Sequence, residues 1–452
     1  MIPLSDIMRI LTTGNLEQQI QVVVQLREML SIEKKPPIEE VIAGGFVPYL
    51  VTLLTANHSK LSFEAAWALT NIASGTTDQT RIVVEAGAIP HFVRLLQHPE
   101  EESREQAVWA LANIAGDNPA FRDMILQIGG MPLVLGLFQP TAKLSLLRNA
   151  TWSLSNLCRG TPKPNFELVA PCISTLVQLL YSADEEILVD ACWALSYCSD
   201  GSDVDIDAII NGGACPRLVE LLMHPSMEVK APALRACGNV VTGNDKQTEL
   251  IINCGLLPPL MSLLTTPKKY LRKEAAWTVS NITAGTDSQI QHVIDANLFP
   301  LVLECLSAGE FDVRKEAAWA IANACSGGNH HQIAYLVGLK CIPSLCELLD
   351  PKIDAKTIQV ALDSISNILK SGAAITSKPS DNNPFVEQVE EYGLDQLTLL
   401  QDSPIKAIYE SAVEILEQYF DYVRKPTRTN NPRGNPTSVH SRLKRNHRFL
   451  NN

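Results

Sequence analysis

"EAAWALTNIASG" (residues 64–75) combines a good helical sequence with two residues that such a helix does not need. Its alanines and Leu69 favour a helix, whereas Trp67 is only a moderate helix former and Asn71 prefers caps and turns. Nearly the same phrase returns as "REQAVWALANIAGD" (104–117), "RNATWSLSNLCRG" (148–160), "DACWALSYCSDG" (190–201), "RACGNVVTG" (235–243), "EAAWTVSNITAG" (274–285) and "EAAWAIANACSG" (316–327). With Arg235 as the odd member, the tryptophan positions recur every 41–43 residues. A fixed period of this length indicates a repeat architecture.

A glycine–proline corner recurs with the same period, as in "AGGFVPYLVTLL" (43–54) and "AGAIPHFVRLL" (86–96). Glycine ends one helix and proline suits the first turn of the next. One unit is therefore a short helix, a corner, a second helix and a third helix that carries the tryptophan phrase. Three helices in about 42 residues are typical of armadillo repeats, which stack because none can bury its apolar face alone. The sequence predicts an all-α, right-handed superhelical solenoid of about ten three-helix repeats over residues 1–421.

Length, composition and the absence of certain motifs exclude several classes of function. The chain has 452 residues, too many for one compact core, and is 46% hydrophobic. No apolar run approaches the ~20 residues of a membrane span, and no basic start precedes an apolar segment, so we expect a cytosolic or nuclear protein without a membrane partner. No phosphate loop, metal-ligand spacing or supported nucleophile–base pair occurs, so we expect no enzyme, cofactor or metal. The eleven cysteines are interpreted as small buried hydrophobes kept reduced.

The repeated tryptophan and asparagine lie one above the other, because residues i and i+4 share a helix face. Stacked repeats then place the pairs in two rows along one surface. Asparagine amides can accept from and donate to the backbone of an extended peptide, while slots between indoles suit the stem and cation of lysine or arginine. Acidic groups near these slots would complete the selection. The pattern therefore predicts a groove for a basic, extended segment, although a single Trp on one helix would be read as core.

Over residues 1–421 the sequence closely resembles the importin-α (karyopherin-α) family, through phrases such as "EAAWALTNIASGTTDQT" and "GDNPAFRD". The resemblance implies a nuclear import adaptor that binds classical nuclear localisation signals at two sites. The implied major site comprises Trp67, Asn71, Gly75, Thr80, Gln106, Trp109, Asn113, Asp117, Trp152, Asn156, Asp190 and Trp193. The implied minor site comprises Arg235, Asn239, Glu274, Trp277, Asn281, Glu316, Trp319 and Asn323. Asp117 matches the acidic residue that pairs with the indispensable lysine of the signal.

Further partners follow from the same resemblance: importin-β, an export factor for recycling, and shuttling between cytoplasm and nucleus. The family's basic importin-β-binding segment is missing from the start "MIPLSDIMRILTTGNLEQQ", and we favour its removal over a natural lack. On either account we expect a constitutively open groove that does not recruit importin-β through that segment.

The two parts of the chain have opposite charge. Residues 1–421 carry 49 acidic and 29 basic residues, a formal charge of −20, whereas residues 422–452 carry eight basic and no acidic ones. This tail is expected to be disordered. It is either a native tail or expression remnant, or a cargo-like segment, native or fused, with Lys444 and Arg445 suited to the tryptophan slots.

A catenin-type armadillo scaffold for adhesion or signalling is the main rival function. Such scaffolds recognise acidic partners through a basic groove, which the charge of −20 disfavours. Direct binding of nucleic acid could depend only on the tail and is not expected.

Overall fold

The computed structural model describes residues 2–376 and 383–420. All regular structure in these two ranges is helical, without a β-strand. The predicted tail, 422–452, lies outside them. No single helix within them is long and apolar enough to cross a membrane; one bent pair, His330–Gly338 with Cys341–Leu349, passes that test by length and composition.

Two compact units divide the described chain. Unit 1 contains the described residues up to Leu218 together with Ser226–Ala236, and unit 2 contains Val219–Pro225 and the described residues from Cys237 onward. The helices up to the boundary are α1 (Leu4–Thr13), α2 (Leu16–Leu30), α3 (Ile38–Ala43), α4 (Phe46–Leu53), α5 (Ser59–Ala73), α6 (Thr77–Glu85), α7 (Ala88–Leu95), α8 (Glu101–Asp117), α9 (Pro119–Gln127), α10 (Gly130–Leu135), α11 (Leu144–Cys158), α12 (Phe166–Val169), a 3₁₀ helix (Ala170–Cys172), α13 (Ile173–Leu179), α14 (Glu185–Ser199) and α15 (Asp203–Asn211).

The boundary falls within α16 (Cys215–Leu221) and α17 (Met227–Val240). The helices that follow are α18 (Asp245–Asn253), α19 (Leu257–Leu264), α20 (Lys269–Thr283), α21 (Asp287–Asp295), α22 (Phe299–Ala308), α23 (Phe311–Gly327), α24 (His330–Gly338), α25 (Cys341–Cys346), a 3₁₀ helix (Glu347–Leu349), α26 (Ala355–Ala374), α27 (Val386–Leu400) and α28 (Lys406–Tyr419). Eight triplets, α3–α26, lie between α1–α2 and α27–α28, so the predicted stack of about ten armadillo repeats is confirmed.

The third helix of each triplet forms the spine of each unit, and we call these the ladder helices. In unit 1, α5, α8, α11 and α14 pack on one another in chain order, and α20, α23 and α26 do so in unit 2. The apolar side chains of α5 are buried in this packing; Ala65, Ala68, Leu69 and Ile72 have no exposed surface. Burying a leucine fully contributes about 1.5–3 kcal/mol. Packing between repeats therefore holds the ladder helices in register.

The glycine corners have the predicted geometry. Gly87 has φ 84°, a left-handed conformation that separates α6 from α7. Asn297 and Lys340 occupy the same point in later repeats with φ of 55° and 64°, although neither is a glycine. Asparagine tolerates this region better than most residues, whereas a lysine there is strained. The corner is thus a constraint on the backbone, which two repeats satisfy without glycine.

Replacing Gly87 with alanine should lower the thermal unfolding temperature, because a left-handed alanine costs roughly 1–2 kcal/mol. A Cβ on Gly87 would meet no atom within 4 Å, so the backbone alone is tested. Gly338→Ala is the matched control: its Cβ would also meet nothing within 4 Å, and Gly338 lies in α24 without a positive φ. Equal unfolding temperatures for the two variants would contradict the constraint.

Candidate functional site

Four tryptophans occupy equivalent positions on the ladder helices of unit 1: Trp67 on α5, Trp109 on α8, Trp152 on α11 and Trp193 on α14. All four rings are partly exposed, and Trp109 is 36% exposed. Flanking residues such as Ala66 and Ala68 are fully buried. The tryptophans therefore line a surface beside the core of unit 1, and the interpretation of these rings as ordinary core residues is wrong.

A cleft of about 300 Å³ opens between the first two rings. It is lined by Phe63, Trp67, Glu102, Glu105, Gln106, Trp109 and Asn149. The sequence prediction contained Trp67, Gln106 and Trp109 but missed the other four. A signal was available, since Asn149 precedes Trp152 by three residues, as Gln106 precedes Trp109 and Glu64 precedes Trp67. A third row of polar side chains thus runs beside the tryptophans and asparagines.

Cationic side chains of the protein itself lie over Trp67 and Trp319. The Arg27 guanidinium lies 4.6 Å from the centre of the Trp67 ring, and its Nε donates to Glu64 Oε2 at 2.8 Å. In unit 2, Lys356 Nζ lies 5.9 Å from the centre of the Trp319 ring. Such contacts contribute about 0.5–1 kcal/mol at exposed sites and more when desolvated. Arg27 thus forms, within one chain, the combination of indole and carboxylate that the sequence predicts for a bound ligand.

The asparagine row also has a structural role that the sequence did not indicate. Asn156 Nδ2 donates to Ala112 O at 3.0 Å, and Asn323 Nδ2 donates to Ser280 O at 2.8 Å. Each bond joins a ladder helix to the ladder helix before it. Asn71 Nδ2 donates to Ser31 Oγ at 2.9 Å. These three amides each use one donor inside the protein, so only part of the row's hydrogen-bonding capacity is left for a ligand.

Asn113 and Asp117 differ from that pattern. Among the described residues, the buried Nδ2 of Asn113 and the buried Oδ2 of Asp117 have no hydrogen-bond partner. The other carboxylate oxygen of Asp117 accepts from Thr77 Oγ1 at 3.0 Å, which orients the carboxylate at the end of α8. Buried polar atoms are almost always satisfied, so each exception requires an explanation. Both atoms lie on the face of α8 that carries Trp109, four and eight residues further along.

Thr80 and Gly75 of the predicted major site have structural roles that the sequence did not indicate. Thr80 has no exposed surface, and its Oγ1 donates to Ala73 O at 3.1 Å, so it anchors the end of α5 and cannot contact a ligand in this conformation. Gly75 is exposed, but a Cβ there would collide with Gln79, whose side chain caps α6 together with Thr76. Gly75 therefore makes room for the cap. Gln106 does line the cleft, where its Nε2 donates to Thr70 Oγ1 at 2.8 Å.

On α14, the last ladder helix that lies wholly in unit 1, the asparagine of the repeated pair is replaced. Tyr197 takes the asparagine position and stacks on Trp193, with ring centres 5.9 Å apart and planes 20° apart. Asp190, three residues before Trp193, is partly buried. Burial, helped by the negative charge of Glu186, raises the pKa of Asp190 to about 6. A cation that approached Asp190 would stabilise its ionised form and so lower this pKa.

The predicted minor site is less uniform than the major one. Trp319 is partly exposed like the rings of unit 1, with Glu316 and Asn323 nearby on α23 at 3% and 5% exposure. Trp277 and Asn281, in contrast, have no exposed surface, and the Trp277 ring lies so close to Gly238 that a Cβ there would collide with it. Trp277 therefore does not line an accessible slot of the kind that the sequence predicts.

The remaining minor-site residues are distributed over both units. Asn239 on α17 and Glu274 on α20 belong to unit 2. Asn239 is buried and Glu274 is partly buried. Arg235, on the same helix as Asn239, belongs to unit 1. Pro232 lies inside this helix, three residues before Arg235, where the other repeats carry a polar residue. The repeat in which Arg235 replaces the tryptophan is thus also the one whose ladder helix contains a proline.

Comparison with known proteins identifies the repeats. The armadillo/beta-catenin-like repeat model matches seven segments, and an atypical armadillo repeat matches 383–433. The seven segments are 34–74, 76–116, 118–159, 166–200, 244–284, 286–326 and 329–370. Residues 201–243, which contain Arg235 and Pro232, fall between two of them. A crystal structure of an engineered protein is 29% identical with a TM-score of 0.83, covering 92% of this chain and 98% of that one.

Curated relatives decide between armadillo families. Importin subunit alpha-1b of Oryza sativa subsp. japonica is 53% identical over 409 residues, covering 89% of this chain and 76% of the relative. Importin subunit alpha-4 of Arabidopsis thaliana is 51% identical over 412 residues with the same two coverages. The chain belongs to the importin-α family. Importin-α proteins are nuclear import adaptors, a non-enzymatic family, so the predicted resemblance is confirmed and the catenin-type alternative is disfavoured.

The two kinds of asparagine in this importin-α should respond differently to truncation. Asn156→Ala should destabilise the protein by about 1–2 kcal/mol, because Ala112 O loses its partner in a buried place. Asn113→Ala should leave stability unchanged or raise it slightly, since its Nδ2 bonds nothing and alanine favours the helix. Urea unfolding of both variants measures the difference; similar losses would contradict a structural role for Asn156.

Proposed function

We propose that this importin-α binds lysine- and arginine-rich nuclear localisation signals in an extended conformation along the tryptophan face of unit 1. The main support for this proposal is a pair of buried atoms on α8, Asn113 Nδ2 and Asp117 Oδ2, that have no hydrogen-bond partner among the described residues. They lie on the helix that carries Trp109, which lines the acidic cleft. A donor that needs a carbonyl and an acceptor that needs a cation fit one ligand: a peptide backbone with a basic side chain.

The stem of that side chain would lie against Trp109 or Trp152, and its ammonium group would approach Asp117. Thr77 supports this arrangement, because its bond to Oδ1 holds the carboxylate with Oδ2 available. Glu102 and Glu105 line the neighbouring cleft and would attract a second basic residue. The Lys143 ammonium group hydrogen bonded to Glu102 lowers the pKa of that carboxyl, which therefore stays charged at neutral pH.

The minor site is proposed with a smaller set of contacts. Glu316, Trp319 and Asn323 repeat the spacing of Gln106, Trp109 and Asn113 on a ladder helix of unit 2. Lys356 already lies over Trp319, which supports the affinity of that indole for a cation. Asn239 and Glu274, which belong to the same unit, are proposed to extend it, whereas Trp277 and Asn281 have no exposed surface. We propose that residues 1–421 form one cargo-binding domain.

The remaining partners are proposed from family membership alone. As an import adaptor, the protein is inferred to shuttle between cytoplasm and nucleus, to be returned by an export factor, and to bind importin-β only where the family's basic N-terminal segment is present. Imaging of the fluorescently tagged chain, with export blocked, tests the shuttling: accumulation in the nucleus supports it.

Asp117→Asn should weaken binding of a fluorescent lysine-rich signal peptide about ten- to hundredfold, because a charge-assisted contact of roughly 1.5–3 kcal/mol is lost. Fluorescence anisotropy gives the affinities. Asp78→Asn is the matched control, since it removes the same charge from an exposed carboxylate that is paired with Arg81 at 2.8 Å. An acidic peptide of equal length tests the catenin-type alternative. Unchanged affinity in Asp117→Asn, or tighter binding of the acidic peptide, would refute the proposal.

Binding should also depend on pH through Asp190. Its pKa of about 6 leaves it charged at pH 7.5 and largely protonated at pH 5, whereas lysine and arginine stay charged throughout. A cation in the Trp193 slot would lower that pKa, so the affinity should fall as the pH drops through 6, by up to about tenfold. Asp190→Asn should bind more weakly at pH 7.5 with a flatter profile. Identical profiles for both proteins would exclude Asp190 from the site.

A further inference from the structure

Three buried cysteines meet behind the tryptophan row of unit 1. Cys158 is the last residue of α11, Cys172 is the last residue of the 3₁₀ helix Ala170–Cys172, and Cys198 lies in the last turn of α14. Their exposures are 4%, 0% and 4%. The Cys158 and Cys172 sulfurs are 3.7 Å apart, and all three sulfurs lie within 4.8 Å of one another. We call these residues the thiol triangle.

This cluster could not be predicted from the sequence, because its members are 14 and 26 residues apart and follow no metal-ligand spacing. Burial was predicted correctly: ten of the eleven cysteines are buried, Cys254 is partly exposed, and none forms a disulfide. The three thiols come together only in the folded chain. Among the described residues, this is the one group of three or more histidine, cysteine or acidic side chains with metal-binding spacing.

The size of the triangle suits a metal ion. An ion at the centre of a triangle with sides of at most 4.8 Å lies no more than about 2.8 Å from each sulfur. Small rotations of the side chains would bring the three sulfurs to a metal–thiolate bond length of about 2.3 Å. The ligand set is purely sulfur, and soft thiolates select soft ions such as Cu(I) and Zn(II).

The number of ligands favours copper over zinc. Structural zinc sites are almost always tetrahedral with four protein ligands, whereas this cluster offers three and is nearly closed to water. We propose that the thiol triangle binds one soft, monovalent metal ion, Cu(I), through three sulfurs contributed by α11, the adjacent 3₁₀ helix and α14.

Binding is an exchange of protons for metal without electron transfer. Three S–H bonds break, three copper–sulfur bonds form, and three protons leave to the solvent. Because each ligand thiol must lose its proton to bind the ion, the affinity for the metal should rise with pH.

A bound ion would also fasten α11 to α14. Cys158 follows Asn156 by two residues and Cys198 follows Tyr197 by one, so the triangle connects the ends of the helices that carry Trp152 and Trp193. The metal would fix the spacing of these two rings from inside the repeat. The metal site itself does not depend on the proposed function.

The test is titration of the full chain with Cu(I) under argon, in competition with the chromogenic chelator bicinchoninate, and in parallel with Zn(II). Wild-type protein should withdraw one equivalent of copper, more tightly than zinc. Cys172→Ala and Cys198→Ala should each lose at least tenfold in affinity for that equivalent. Cys192→Ala is the matched control, because Cys192 is fully buried on α14 but outside the triangle, and it should bind copper as wild type does.

Three results would overturn the proposal. Copper binding that persists unchanged in Cys172→Ala would place the ion elsewhere, and preference for zinc would remove copper as the ligand. Detection by mass spectrometry of a Cys158–Cys172 disulfide in protein that takes up no copper would replace the metal site by a redox pair. Circular dichroism of all variants confirms that they are folded, and a copper-dependent rise in unfolding temperature limited to wild type and Cys192→Ala would support the fastening of α11 to α14.

Discussion

Burial between repeats is the constraint on which the rest of this importin-α depends. A triplet of some 42 residues has too little core to fold alone, so the alanine- and leucine-rich sides of neighbouring ladder helices must cover one another. This packing brings residues that are about 42 positions apart in sequence side by side. The tryptophan row of unit 1 is therefore a consequence of stacking, because each ring is held by its own helix and aligned by its neighbours.

Polar groups on the ladder divide into those that hold the stack and those that are left for a ligand. Asn156 and Asn323 bond to the preceding ladder helix, and Asn71 bonds to Ser31. Asn113 and Asp117 keep one buried polar atom each without a partner in the described structure. The same phrase in the sequence thus serves two purposes, and only the hydrogen bonds distinguish them. Asn113 and Asp117 both lie on α8.

Periodicity explains why the fold was predictable and the site only partly so. Trp67, Trp109 and Gly87 recur at a fixed spacing, and a helix face or a corner follows directly from such spacing. The burial of Thr80 and Trp277 depends on neighbours from other helices, which local patterns do not specify. The cysteines of the thiol triangle follow no period, and the fold brings them together from α11, the 3₁₀ helix Ala170–Cys172 and α14. Long-range packing therefore decides what the sequence pattern cannot.

Arg27 has a consequence for the length of segment that the row can hold. Its guanidinium covers Trp67 and is bound to Glu64, so the first indole is shielded on one side by the chain's own side chain. A ligand extending past that ring would have to displace Arg27 and leave Glu64, which is only 6% exposed, without its counter-ion. In the binding mode proposed above, Arg27 would therefore limit the row at Trp67, and basic residues added to a ligand beyond that ring would contribute little further affinity.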